Sequence, residues 1–373
     1  MEEKKSSRLV SLDIFRGITI AGMILVNNPG SWSTIYPPLK HAEWHGCTPT
    51  DWIFPFFLFI VGVAITLSLT KRKERGDDQG KLILNIFRRA VLIFLVGFLM
   101  VIIPYFKFET VRIPGVLQRI AVVYFFTSLI FLKTSMKTQI YLTAGFLIAY
   151  WLMMTLIPVP GVGYANLEKE TNLAAWLDRL LLDGHMWAQS KTWDPEGVLS
   201  TLPAIATCLS GVLLGHFLRT QRSEAEKAAW IFSAGAFFVV VGEFWSIFFP
   251  MNKSIWTSSY VVYTSGLALI FFAFCYWIAD VQGHKKWAKP FIIYGMNAIA
   301  VFAGSGMMAK FMGIIKVTGA DGKEISVQGY LYQTFFVPYF DPLNASLAYA
   351  ISYIVFWFLI LWVLYRYKIF IKI

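Results

Sequence analysis

The stretch over residues 8–62 reads as an active site, because its loop is crowded with polar and ionisable side chains. Asn27 closes an apolar run, His41 lies in PLKHAEWHG, and Asp51 lies in CTPTDW. Histidine is the side chain best suited to proton transfer near neutral pH, and it can also accept an acyl group. Asn28, Glu43 and His45 crowd the same loop. His41, Glu43 and His45 do not follow a recognised ligand spacing, so no metal is expected. Each of these residues also has an ordinary reading. His41 and His45 would be solvent-exposed loop histidines. Thr48, Pro49 and Asp51 would be the N-cap, first and third residues of a helix.

Other polar side chains interrupt apolar runs or stand at their mouths. Asp13 and Arg16 lie in the first run, Arg119 in RIPGVLQRI, Glu243 in VVVGEFWS and Asn297 in YGMNAIAVFAG. Ionisable groups at membrane depth are costly and tend to face a cavity or a partner. At about 100° per residue, Asp13, Arg16 and Asn27 fall within an arc of about 60°, one polar stripe along the first helix. The alternative is an i,i+3 pair of Asp13 and Arg16 snorkelling to the interface. Arg16 is placed to meet an anionic ligand from the cytoplasm. Arg119 cannot be neutralised and suits phosphate recognition. Asn297 reads either as glue between helices or as a substrate contact. In WDPEG, Asp194 reads as a cap with Pro195 starting the next helix, which leaves Glu196 at the outer mouth as dipole partner or base.

The elements that must hold these residues are membrane helices. The 373 residues are 57% hydrophobic and 15% charged, with mean hydropathy +0.58; a soluble domain carries about a quarter charged residues. A span needs roughly 20 apolar residues. Ten candidates lie at about 9–28, 50–70, 83–104, 113–132, 138–158, 197–218, 228–249, 256–279, 290–315 and 343–365. Their runs are continuous rather than alternating, which argues against a β-barrel. The expected fold is an all-α polytopic membrane protein, a bundle of about ten transmembrane helices forming one domain over residues 1–373. The segment MEEKKSSR is too short and acidic for a cleaved signal, so the first helix is expected to stay. With the N-terminus inside, the inner segments hold 21 Lys and Arg and the outer ones 9. Both termini are then cytoplasmic, and loops 28–49, 159–196 and 316–342 face outward. The net charge of +11 belongs to these inner loops rather than to a nucleic-acid surface.

Within the outer loops, NLAAWLDRLLLDGHMW predicts a short amphipathic surface helix. TGADGKE followed by the weakly alternating ISVQGYLYQTFF predicts a small hairpin. Cys208 and Cys275 lie in apolar runs and Cys47 in a loop, which is no disulfide framework. No Walker loop, Rossmann fingerprint, nucleophile elbow or zinc motif is present. Residues alone leave a membrane enzyme and a transporter both open.

Five stretches then carry a resemblance: SLDIFRGITIAGMILVNNPG, KHAEWHGCTPTDWIFPFFLFIVG, RIPGVLQRIAVVYF, WDPEGVLSTLPAI and YGMNAIAVF. Together they resemble the heparan-alpha-glucosaminide N-acetyltransferase family, across nearly all ten spans. The resemblance implies a transferase that moves acetyl from cytoplasmic acetyl-CoA to the amino group of a glucosamine-type sugar across the membrane. It implies His41 as the active histidine and Asn27 as the catalytic asparagine. The sequence lacks the large N-terminal extension of the animal lysosomal enzyme, which implies a bacterial relative in the cytoplasmic (inner) membrane. Asp51, Glu196 and Asn297 are the expected acceptor contacts, and Arg16 and Arg119 the expected contacts to the CoA phosphates. The expected partners are acetyl-CoA, an amino-sugar acceptor, the lipid bilayer and a second copy in a homodimer. An amino-sugar transporter without acetyl transfer is the alternative.

Overall fold

An apolar segment in lipid has no water for its N–H and C=O groups, so it pairs them within itself as a helix. The computed structural model, which describes residues 9–319 and 322–371, is built this way. Its helices are α1 (Val10–Asn27), α2 (Ile53–Glu74, entered through a 3-10 turn Pro49–Trp52), α3 (Gln79–Ile102), α4 (Val116–Lys133), α5 (Met136–Leu156), α6 (Leu173–Leu182) and α7 (Thr201–Leu218). Then come α8 (Glu224–Ser246), α9 (Ser258–Tyr276), α10 (Lys289–Met296), α11 (Ala298–Ile314), strands β1 (Lys316–Thr318) and β2 (Glu324–Ser326), α12 (Val327–Phe335) and α13 (Pro342–Arg366). Among the described residues nine helices are long and apolar enough to cross a membrane, and α10 with α11 passes the same test only as a bent pair. The chain is an all-α polytopic membrane protein. Lys4, Lys5, Arg8 and Lys372, which entered the inner charge count, lie outside the described residues.

α2 and α7 form the centre. About two-thirds of their spanning windows, 67%, is buried, against 22% for the peripheral α5, α8 and α13. Two glycines make this crossing close. A Cβ on Gly62 would stand 1.9 Å from the Cys208 carbonyl oxygen, and one on Gly211 would stand 2.0 Å from that of Phe59. Backbones at that separation exclude any side chain, as small-residue contacts between membrane helices do. α1 packs along α10, α3 along α4, and α8 along α9.

Three local expectations are corrected. The 290–315 span is not straight, because α10 and α11 meet at Asn297 with a 71° bend. There the Asn297 side chain serves the backbone of the distant 369–371 segment in place of its own helix. Nδ2 donates to the Ile369 carbonyl at 3.2 Å, and Oδ1 accepts from the Ile371 amide at 2.8 Å. The hairpin is three residues a side, with Val317 paired to Ile325. The Ser326 hydroxyl then accepts from the Gly329 amide and starts α12 where strand was expected. In WDPEG no helix begins at Pro195; α7 starts at Thr201, because Asp194 is committed to Arg112 instead. The amphipathic surface helix is present as α6, capped by Asn172, whose Oδ1 accepts from the Ala175 amide at 2.9 Å.

Candidate active site

The polar groups at one end of the bundle converge because three loops cross there. The 28–49 loop leaves α1 and returns through the Pro49 turn. At its start the two asparagines separate. Asn28 is buried and donates to the Ile24 carbonyl at 2.8 Å, closing the end of α1. Asn27 is exposed, meets no hydrogen-bond partner among the described residues, and lines a cavity with His41, Glu196 and Lys253. The cavity encloses about 630 Å³ of non-atom space, its open mouth included. Met23 of α1, Phe57 of α2, Ile120 of α4, and Ile299 and Phe302 of α11 make its walls apolar.

His41 is held from behind by Asp51. Its Nδ1 stands 2.6 Å from Asp51 Oδ1. Asp51 Oδ2 accepts from the amides of Ala42 at 3.1 Å and Thr48 at 3.0 Å, and from the Thr48 hydroxyl at 3.0 Å. A carboxylate beside Nδ1 fixes the tautomer with the proton there, leaving the lone pair on Nε2. The helix start expected at Thr48, Pro49 and Asp51 is present, closed as a capping box, and the same carboxylate orients the histidine. Asp51 is only 1% exposed. Both of its oxygens are occupied by protein partners. Tyr260 steadies this turn by donating to the Asp51 carbonyl at 2.6 Å.

Lys253, in the α8–α9 loop, was missed in the sequence. Its Nζ lies 3.2 Å from both ring nitrogens of His41. A point equidistant from both cannot lie on either in-plane lone pair without colliding with the carbon between them. The ammonium therefore sits over the imidazole face. Burial holds it below the ordinary lysine value, against the pull of Asp51 and Glu196. The loop is fixed by the Gly46 amide, which donates to the Met251 carbonyl at 2.7 Å.

Glu196 is held by an arginine that the sequence also did not single out. Arg112 donates to Asp194 through Nε at 2.8 Å and Nη2 at 2.6 Å, and it also donates to Glu196. Burial opposes the Arg112 charge, but the two carboxylates outweigh it and raise its pKa. Beneath them, Asp178 accepts from the amides of Asp194 at 3.2 Å and Val198 at 2.9 Å. Burial pushes its carboxyl up to about 6. Gly197 lies so close that a Cβ there would stand 2.1 Å from an Asp178 oxygen.

Arg119 and Asn297 are both buried and hydrogen-bonded within the chain. Arg119 is 3% exposed and lies in the same half as Glu196. Its guanidinium donates to the carbonyls of Pro195 at 3.1 Å and Gly197 at 2.8 Å and to the Ser200 hydroxyl at 2.5 Å, and it stacks 5.2 Å from the Trp256 ring centre. It holds the Glu196 loop. Asn297, 1% exposed, is committed to the 369–371 segment. Arg16 lies against α10, donating to the Gly295 carbonyl at 3.2 Å and approaching Asp13 at 3.4 Å. Among the described residues, no three His, Cys, Asp or Glu side chains stand together as metal ligands.

The arrangement is thus an oriented histidine, an open amide, a cation and an acid around one cavity. A general base, a carbonyl-oxygen donor and a counter-charge are what acyl transfer to an amine requires. A sequence profile described as "Heparan-alpha-glucosaminide N-acetyltransferase, catalytic" matches residues 8–243. The chain is 32% identical to the heparan-alpha-glucosaminide N-acetyltransferase of Mus musculus, over 83% of its own length and 55% of that protein. It is 33% identical to that of Homo sapiens, over 80% of its own length and 52% of that protein. It spans about half the length of these curated relatives. A match over well over half of the chain, with identity above 30% across most of it, places the protein in the heparan-alpha-glucosaminide N-acetyltransferase family.

Proposed function

We propose that residues 1–373 act as one membrane N-acetyltransferase domain that passes acetyl from cytoplasmic acetyl-CoA to the amino group of a glucosamine-type sugar on the outer side. The observation that carries this reading is the His41–Asp51 pair on a cavity that also holds the open amide of Asn27. Both termini are cytoplasmic in this reading, and the membrane is the bacterial inner one.

The donor comes from the inner side. Arg16 lies on the stripe of α1 that leads to Met23 and Asn27, eleven residues and about 16 Å of helix below Asn27. A CoA whose phosphates stay near Arg16 can send its extended pantetheine arm along this stripe, and the apolar walls suit the arm and the acetyl methyl. At the outer end, His41 Nε2 takes a proton from the acceptor amine. The amine nitrogen bonds to the thioester carbon as the C–S bond breaks. Asn27 donates to the carbonyl oxygen, Lys253 supplies positive charge nearby, and the imidazolium returns its proton to the CoA thiolate. Glu196 is the acid placed to meet an ammonium or hydroxyl of the sugar.

Direct attack is preferred over an acetyl-histidine, since acyl-imidazoles hydrolyse and His41 is open to the outside. Labelled acetyl-CoA incubated without acceptor, quenched rapidly and analysed by mass spectrometry, should leave His41 unmodified. A stoichiometric acetyl group there that passes to added amine would establish the two-step route. The α10–α11 break favours a second reading, because interrupted helices mark substrate sites in transporters. Purified protein in detergent should move labelled acetyl to glucosamine or a glucosaminide. Amino-sugar accumulation in proteoliposomes, with no transfer in detergent, would establish transport instead.

A further inference from the structure

We propose that a membrane phospholipid with an anionic headgroup binds in the cleft between α5 and α8. One acyl chain lies along α7, and the headgroup lies at the end of the bundle opposite His41. This site is separate from the histidine cavity and does not rest on the acetyltransferase reading.

The cleft follows from which helices pack. α5 lies on α7 and α8 lies on α9, while α7 and α8 barely touch. α8 is pinned to α9 where a Cβ on Gly235 would stand 2.9 Å from the Gly266 carbonyl oxygen, so it does not swing across to close the gap. What remains encloses about 910 Å³ of non-atom space, its open side included. Trp230 and Phe238 of the peripheral α8 line it and are 55% and 40% exposed, which turns the open side toward lipid.

The walls suit hydrocarbon. Leu147, Leu214, Phe217, Ile231 and Leu269 line the cleft, and its three hydroxyls are already spent. Thr143 donates to the Gln139 carbonyl at 2.7 Å, and Ser210 donates to the Thr207 carbonyl at 2.6 Å. Ser265 stands 3.0 Å from the Ser210 oxygen and is therefore the donor in that pair. No hydroxyl proton on the wall is left for a sugar or a phosphate. The dimensions narrow the occupant further. The lining runs along α7 from Ala206 to Phe217, about 16 Å of helix and about half the roughly 30 Å hydrocarbon thickness. Spread over that length, 910 Å³ gives a mean section of about 57 Å², a circle about 8.5 Å across. A helix of a second copy, about 10–12 Å wide, is too thick for it. A polymethylene chain, about 4 Å across at van der Waals contact, enters.

Charge selects the headgroup. Trp230 carries the Arg222 guanidinium 5.7 Å from its ring centre. Arg222 and the neighbouring Arg219 each also meet a carboxylate, Glu226 and Glu74. The balance of the whole end decides the sign: residues 71–81, 133–137 and 219–227 hold ten Lys and Arg against five Asp and Glu. A positive rim at the headgroup level attracts anionic lipid.

The test uses phosphatidylglycerol with a photoactivatable acyl chain, added to detergent-purified protein, irradiated and mapped by mass spectrometry. Adducts should fall on the cleft segments 206–217 and 230–238. Unlabelled phosphatidylglycerol should compete at least tenfold better than phosphatidylcholine of the same chains. Arg222→Gln should weaken phosphatidylglycerol competition by about fivefold. Ala234→Trp, which fills the cleft with an indole, should abolish labelling without lowering the melting temperature of delipidated protein. Val240→Trp, at an exposed position of the same helix, should leave labelling unchanged. Adducts spread evenly over the lipid-facing helices, equal competition by phosphatidylcholine, or stronger competition by a polyprenyl phosphate would overturn the site. So would full labelling of folded Ala234→Trp, or a dimer that Ala234→Trp splits with no adduct formed in wild type.

Discussion

Asp51→Asn is the sharpest perturbation of the site, and its outcome follows from the hydrogen bonds. Asp51 Oδ2 accepts from two backbone amides and a hydroxyl, and Oδ1 faces His41 Nδ1 at 2.6 Å. An asparagine must place an NH₂ at one of these positions. At Oδ2 it would confront two N–H donors that cannot turn away. The amide therefore keeps its oxygen there and points its NH₂ at His41. Nδ1 must then accept, the proton moves to Nε2, and the lone pair that would take the amine proton is gone. Positioned general bases contribute about 10²- to 10⁴-fold. In hydrolases with an aspartate–histidine pair the same exchange costs about 10⁴ in kcat. We expect kcat for acetyl transfer to fall by about 10² to 10⁴, about 2.7–5.5 kcal/mol of barrier. Stability should fall only by about 1 kcal/mol, because the cap's backbone donors keep an acceptor. The assay is transfer of labelled acetyl to glucosamine in detergent, with thermal unfolding and acetyl-CoA-induced stabilisation as controls. A folded variant within tenfold of wild type would refute the assignment of His41 as a base oriented by Asp51.

Three further outcomes are expected. Asn27→Ala should lower kcat by about 10²- to 10³-fold without moving the melting temperature, whereas Asn28→Ala should do the reverse, losing about 1 kcal/mol of stability with its bond to Ile24; equal effects in both assays would erase the distinction. Arg119→Lys should lower thermal stability by about 1–3 kcal/mol, because an ammonium cannot replace the fork to Pro195, Gly197 and Ser200. Its acetyl-CoA-induced stabilisation should persist, and loss of that response at an unchanged melting temperature would restore Arg119 as a phosphate contact. Asp178 has its folded carboxyl raised by burial to about 6 from 3.8, so it binds a proton in the folded state at pH values where the unfolded chain has released it. Its contribution to stability is complete below about pH 4 and is lost as pH rises through about 6, on the order of 2–3 kcal/mol. Melting curves of Asp178→Asn should lie lower overall but lack that slope, and a parallel pair of curves would exclude it.

What the sequence revealed was local, and what it concealed was long-range. The Thr48–Asp51 box and the Asn172 start of α6 were legible because a cap joins residues three apart. Apolar run length located the spans for the same reason. Asp51's second role was not legible, since a capping aspartate and one that orients a histidine look alike until the loop folds back. Lys253 lies 212 positions from His41, and no spacing announces such a neighbour. Arg112 was counted only as an outer charge, yet its two carboxylates lie 82 and 84 positions on. Arg119 was read as a phosphate group because a buried arginine needs acceptors; the acceptors proved to be carbonyls of its own chain.

The Asn297 clamp also sets an order of events during synthesis. The break between α10 and α11 is closed by groups 72 and 74 residues further along the chain. A ribosome that has just released Asn297 into the membrane has not yet made them, and α13 must be threaded before they arrive. Until then the Asn297 side chain lacks the two partners it has in the folded chain, each worth about 1–3 kcal/mol when left unmet in a buried site. This end of the bundle therefore closes only after α13 has been made, several seconds of elongation later.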